Sequence, residues 1–303
     1  IKESIVVNDR METSVPDIYA AGDAVQVKHY VTGNDALISL AGPANKQGRI
    51  IADNICGGDS RYLGSQGSSV IKVFDMTAAT TGINETNAKK SGLEVDTVIL
   101  SPMSHAGYYP GGKVMTMKVV FEKETYRLLG AQIIGYEGVD KRIDVLATAI
   151  HAGLKATQLK DLDLAYAPPY SSAKDPVNMA GFMIDNIAKG TLKQWHLEDM
   201  DKISKDKSVV LLDVRTVGEF NRGHMDGFRN IPVDELRERI NEIEKGKPVY
   251  LICQSGLRSY IASRILEGNG YETYNFSGGF RFYDAVVNDR ALIERAYACG
   301  MDY

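Results

Sequence analysis

Hydrophobic and polar positions along the chain fall into three blocks. In the first, to about residue 63, short apolar runs at 4–7 and 17–21 predict two strands, the second ending in Gly22-Asp23. A helical pattern at 45–55 stops at Gly57-Gly58, as C-caps do. The polar stretch 64–69 reads as a linker. In the second block, runs at 70–75, 95–101, 114–122 and 128–135 predict strands. Helices are expected over 84–91, 140–152 and 176–188, each followed by glycine. Tyr166-Ala-Pro-Pro-Tyr170 is closed to helix, because proline has no N–H to donate. In the third block, 209–214 and 249–253 are uninterrupted apolar runs of the kind found in buried parallel strands. A helix at 258–267, a strand at 273–276 and a last helix at 291–298 follow. This alternation predicts an α/β fold with a parallel sheet, whose active site lies at the carboxyl ends of the strands.

Composition narrows the function classes. The 303 residues carry 35 Lys+Arg against 39 Asp+Glu, a net charge of −4, which leaves no electrostatic footprint for nucleic acid. No apolar run approaches the roughly 20 residues of a membrane span. The opening IKESIVVNDR is charged at once and lacks the apolar stretch of a signal peptide. The three cysteines, Cys56, Cys253 and Cys299, stand far apart with no CxxC pair. They argue against a disulfide framework or metal site and for a reducing cytoplasm. Cys299 has no basic neighbour and is read as inert.

The strongest chemical signal is Cys253-Gln254-Ser255-Gly256-Leu257-Arg258-Ser259, between an apolar strand and a helix. Such a turn aims main-chain N–H groups into the loop, and the helix N-terminus adds partial positive charge. Arg258 adds a full charge, so the arrangement favours a nucleophilic thiolate at Cys253. Gly256 lets the backbone curl without a Cβ clash. The loop resembles the rhodanese active-site loop. The upstream Leu212-Asp213-Val214-Arg215, Glu219-Phe220, Gly223-His224 and Asn230-Ile231-Pro232 resemble the same family's pattern. The resemblance implies a sulfurtransferase with Cys253 and Arg258 catalytic and Gln254, Ser255, Gly256, Leu257 and Ser259 binding the sulfur group. Asp213, Arg215 and His224 are read as structural, and Gly278-Gly279 as a turn beside the loop.

Thr13-Ser-Val-Pro-Asp-Ile-Tyr-Ala-Ala-Gly22-Asp23-Ala24 and the helix start Ala41-Gly-Pro-Ala-Asn45 resemble FAD-dependent pyridine nucleotide-disulfide oxidoreductases. The resemblance implies that Gly22, Asp23 and Ala24 hold FAD. It places Leu40 and Ala41 near the flavin ring and Asn45 and Arg49 on the substrate side. Phe74-Asp-Met-Thr-Ala-Ala-Thr-Thr-Gly82 resembles the opening of that family's dimerisation domain. The loops around Tyr108 and Tyr166 resemble the coenzyme A-disulfide reductase branch, including its rhodanese fusions. There the resemblance implies two tyrosines that reach the partner's flavin in a homodimer, here Tyr108 and Tyr166, and a phosphate contact for coenzyme A, here Lys174.

No strand–GxGxxG–helix is present, so the chain is expected to be the C-terminal portion of a longer enzyme. The expected domains are 1–63, the tail of a Rossmann-like FAD-binding domain; 68–188, an α+β dimerisation domain; and 192–303, a rhodanese-like α/β domain with a parallel sheet. The expected activity is an NAD(P)H-driven reductase of coenzyme A disulfide, persulfide or polysulfide, with a fused sulfurtransferase. The alternatives are an NADH oxidase or peroxidase of the same fold, or a rhodanese module that only docks or senses.

Overall fold

The structure, a computed structural model, describes residues 3–298, with side chains through residue 289. Cys299 lies outside the described residues. The elements are β1 (Ile5–Val6), β2 (Val25–Lys28), β3 (Asp35–Ala36), α1 (Ala41–Ile55), β4 (Ser69–Val73), β5 (Met76–Gly82) and α2 (Glu85–Lys90). Then come β6 (Val95–Leu100), β7 (Thr116–Glu122), β8 (Leu128–Gly135), α3 (Val139–His151), α4 (Pro176–Ala188), β9 (Gln194–Trp195) and α5 (Met200–Ile203). The last are β10 (Val210–Asp213), α6 (Val217–Arg222), β11 (Arg229–Asn230), β12 (Val249–Ile252), α7 (Leu257–Glu267), β13 (Thr273–Phe276) and α8 (Gly279–Ala298). The chain divides into two compact units, Ile1–Thr97 with Val119–Lys155, and Val98–Lys118 with Ala156–Tyr303.

In the first unit, β1 and β2 are parallel and β3 runs antiparallel to β2. Val25 and Val27 face a small core with Met11, Ile50, Ile51 and Tyr62. The apolar run 17–21 forms no strand, contrary to expectation. Asp17 and Gly22 both adopt positive φ, 62° and 76°, so the chain turns at each end of the run. Only Tyr19 makes a bridge, to Glu12, and Gly22–Ala24 is a turn of 3₁₀ helix that precedes a strand rather than ending one. The stretch 64–69 is no free linker: Ser65 pairs with His29, and the Gln66 amide donates to Thr81 and to the Ala147 carbonyl.

A five-stranded sheet has the order β4-β5-β8-β7-β6. β4 and β5 form a tight antiparallel hairpin closed between Val73 and Met76, with Phe74 at φ 51°. β5 lies beside β8, Ala79 opposite Ile133, and α3 packs on both strands. β5 escapes the sequence pattern because MTAATTG has small side chains and no clear alternation. α2 starts at Asn84, whose side chain accepts from the Asn87 amide.

The second unit is built on an all-parallel sheet in the order β11-β10-β12-β13-β9. Its two faces bury separate apolar clusters: Leu212, Val249, Leu251, Ala262 and Leu266 on one, Trp195, Phe228, Ile252 and Phe276 on the other. At roughly 1.5–3 kcal/mol for each large apolar side chain buried, these clusters hold the strand ends in fixed register. The Ser277 hydroxyl, just past β13, accepts from the main-chain N–H of Ile99 at 3.1 Å. α8 is longer than the expected 291–298: it begins at Gly279, and Phe280 and Tyr283 from its first turns join the Trp195 cluster.

Candidate functional site

β12 ends at Ile252 and delivers Cys253 to the carboxyl edge of the parallel sheet, where α7 begins. Gly256, at φ 97°, is the residue before α7, a conformation in which a side chain would be strained. The loop closes on the sulfur: the Gly256 N–H points to Cys253 Sγ at 3.1 Å, and the Ser259 hydroxyl donates to it at 3.2 Å. Cys253 is 1% exposed and Ser259 fully buried, so both donors act where water does not compete. The loop carbonyls are turned away, because the Phe280 N–H donates to Cys253 O and the Arg281 N–H to Gln254 O. Gly279 must be glycine for this to happen. A Cβ there would stand 2.7 Å from Gln254 O and Ser255 N.

The expected ring of amides around the sulfur is narrower than the sequence implied, with one amide and one hydroxyl in contact. Arg258 does not cap the sulfur either. Its guanidinium donates two 2.7 Å hydrogen bonds to the Glu219 carboxylate. Glu219 is fixed in turn by a capping box at the start of α6, accepting from Thr216 while the Thr216 hydroxyl accepts from the Glu219 amide. Arg258 foremost, with the Thr216 amide and hydroxyl, holds the Glu219 carboxyl down to about 2. Gln254 and Ser255 are half-buried and Leu257 is 66% exposed, so the loop opens outward through them.

Behind the loop, the Arg215 guanidinium and the Asp213 carboxylate form a buried pair at 2.7 Å. Arg215 also donates to Gly223 O at 2.8 Å and to Gln254 Oε1 at 3.4 Å, and lies 3.8 Å over the Phe280 ring. This pair thus braces the residue next to the nucleophile. His224 stacks on Phe220 at 3.9 Å with Nδ1 3.0 Å from the Phe220 carbonyl.

A second cluster joins the two tyrosine loops of the same unit. The Tyr108 and Tyr166 hydroxyls lie 2.8 Å apart, and the Ala106 N–H donates to Ser171 O at 2.9 Å. The hydrogen bond with Tyr108 pushes Tyr166 above the usual phenol range, which keeps its proton in place as a donor. Both rings stay open to solvent. Buried Asp175 caps α4 and accepts from the Ser171 hydroxyl, holding the second loop. Lys174 is exposed and sits 5.4 Å over Phe182.

In the first unit, Gly22, Asp23 and Ala24 stand beside the start of α1. The Gly22 N–H is held by Gln47 Oε1 at 2.7 Å. Asp23, Ala24, Ala41 and Asn45 are exposed, Leu40 is half-buried, and no side chain caps the α1 N-terminus. A free carboxylate next to open main-chain donors suits a ligand carrying hydroxyls and phosphates. These residues therefore fit a nucleotide cofactor. Arg49 is exposed and lies 4.0 Å from Asp53.

Two stretches of the chain match known domain families. Residues 68–176 match the pyridine nucleotide-disulphide oxidoreductase dimerisation domain, and residues 196–285 match the rhodanese-like domain. The chain joins a pyridine nucleotide-disulphide oxidoreductase dimerisation domain to a rhodanese-like domain. It is 39% identical over 174 residues to a CoA-dependent NAD(P)H sulfur oxidoreductase of Pyrococcus abyssi, covering 57% of this chain and 39% of that protein. The reduced CoADR-RHD of Bacillus anthracis superposes with TM-score 0.91 at 47% identity, over 95% of this chain and 52% of that one. A NAD-dependent persulfide reductase from A. fulgidus gives TM-score 0.84 at 42% identity, over 92% of this chain and 51% of that one. The chain thus spans about half the length of these two structures, and less of the Pyrococcus protein. The rhodanese domain is the parallel-sheet part that carries Cys253, and the dimerisation domain carries the exposed β4–β5 hairpin.

Sequence reading brought together Cys253, Gly256 and Ser259, and the two tyrosines. It missed the roles of Glu219 and Phe280. Glu219 had a visible signal, because Thr216-x-x-Glu219 is a capping-box spacing.

Proposed function

We propose that this chain is part of an FAD-dependent, NAD(P)H-driven reductase of coenzyme A disulfide, coenzyme A persulfide or polysulfide, working as a cytoplasmic homodimer. Residues 1–63 would close the FAD-binding domain, 68–188 form the dimerisation domain, and 192–303 the rhodanese domain. The observation that carries the reading is Cys253 Sγ, buried and held by an amide and a hydroxyl at a strand's carboxyl end. In the sulfur step, the Cys253 thiolate attacks the outer sulfur of a persulfide or polysulfide. One S–S bond forms on Cys253, the donor's S–S bond breaks, and the donor leaves as thiolate. Gly256 and Ser259 stabilise sulfur charge on Cys253 before and after transfer.

The residues that would hold FAD are Gly22, Asp23 and Ala24, with Leu40 and Ala41 beside the ring. The flavin, when bound, supplies two-electron transfer from NAD(P)H to the disulfide or persulfide. Tyr108 and Tyr166 orient the sulfur leaving group and give it a proton. Lys174, Asn45 and Arg49 contact coenzyme A.

Sulfur transfer from polysulfide or thiosulfate to cyanide tests the reading, with thiocyanate as readout. The parent protein is expected to turn over and Cys253→Ser to fall to the uncatalysed background. Equal rates in the two would overturn the sulfurtransferase assignment. In the complete enzyme, Tyr108→Phe and Tyr166→Phe are expected to lower NAD(P)H oxidation with coenzyme A disulfide by about 100-fold, the lower end of lost general acid–base help.

A further inference from the structure

Asn275 sits in β13, 4% exposed, on a different strand from the nucleophile. Its Nδ2 donates to the Gly256 carbonyl at 3.1 Å, and its Oδ1 is buried with no hydrogen-bond partner. The Gly256 carbonyl also accepts from the Tyr260 N–H at 3.1 Å, the first main-chain bond of α7. A carbonyl oxygen has two lone pairs, so these two donors fill it. The Ser259 hydroxyl lies within reach of two acceptors, the Gly256 carbonyl at 3.1 Å and Cys253 Sγ at 3.2 Å. It has one hydrogen to give.

We infer that Asn275 is a positioning residue for Cys253: by saturating the Gly256 carbonyl it directs the Ser259 hydrogen to the sulfur. The inference rests on Cys253 as the sulfur carrier. It adds a residue that never touches the sulfur and acts through the choice Ser259 makes. Without the Asn275 donor, one Gly256 lone pair is open and competes with the sulfur for the Ser259 hydrogen. The Gly256 amide is then the one donor that Cys253 does not share.

The test reads the thiol directly, so its failure is distinct from failure of sulfur transfer. In the full chain with Cys56→Ser and Cys299→Ser, Cys253 alkylation by iodoacetamide is followed against pH. Asn275→Leu is expected to raise the midpoint of that profile by about one pH unit and slow alkylation at neutral pH about tenfold, the size of one lost hydrogen bond to a charged group. Ser259→Ala is expected to give a shift in the same direction and at least as large. The decisive measurement is the double variant, whose shift should equal that of Ser259→Ala alone, because Asn275 has nothing left to direct. An unshifted Asn275→Leu profile, or shifts that add in the double variant, would overturn the inference. If Asn275→Leu does not fold, Asn275→Ala replaces it, removing the donor without adding volume or charge. It is expected to shift the profile in the same direction, and an unshifted profile refutes the proposal.

Discussion

Single side chains decide the chemistry of the rhodanese loop, and several were legible. Cys253, Gly256 and Ser259 announce themselves because the contacts among them are local, within one loop and the first turn of α7. Asn275, Phe280 and Glu219 were not legible, because they act across strands and only the fold brings them to the loop. Arg258 shows the same limit: its charge was visible, its partner Glu219 was not. Asp213 and Arg215 make a sharper case. A buried pair is weak evidence of net stability, but removing one partner strands a charge in a fully enclosed site. Arg215→Met is therefore expected to cost about 3–5 kcal/mol, and pairing it with Asp213→Leu to restore most of the loss. The chain's one tryptophan, Trp195, is 2% exposed in the rhodanese core, so its fluorescence in a urea titration reports that domain alone. Unchanged unfolding in Arg215→Met would remove the pair from the account.

Among elements, those with strong periodicity or flanking glycine and proline were readable to their ends: β8, α4 and β13 fall on the expected residues. Those without such signals were missed. β5 is made of small residues, and the run at 17–21 has strand composition but left-handed backbone at each end. α6 is short and owes its start to the Thr216–Glu219 capping box and its tie to Arg258. That tie has a pH signature. The Glu219 carboxyl is held at about 2, below its ordinary 4.5. A depressed acid contributes stability that is full above 4.5 and lost as pH falls toward 2. The parent's Trp195 transition is expected to weaken across this interval, and Glu219→Gln to start weaker at neutral pH and decline less on acidification. Parallel curves for the two proteins would show that the ion pair contributes nothing.

For the molecule as a whole, the all-parallel C-terminal sheet followed from its buried apolar runs, whereas the antiparallel hairpin of β4 and β5 depended on an unread strand. That hairpin leaves Ile71 61% and Phe74 94% exposed, with exposed Val73 and Ile134 on the same face as Ile71. An apolar face of this kind marks an association surface. For the proposed homodimer, Phe74→Asp with Ile71→Asp is expected to shift the protein toward monomer in sedimentation, and an unaltered mass would place the contact elsewhere. The rhodanese site, finally, is assembled from three separated stretches, 213–219, 253–259 and 275–281. Its third wall rests on Gly279, where any methyl group would collide with the backbone on the opposite side. Inspecting the cysteine motif of a similar protein is thus not enough to judge it alive. A chain with every letter of that motif intact and alanine at this downstream glycine would look competent while its cysteine loop could not keep this shape.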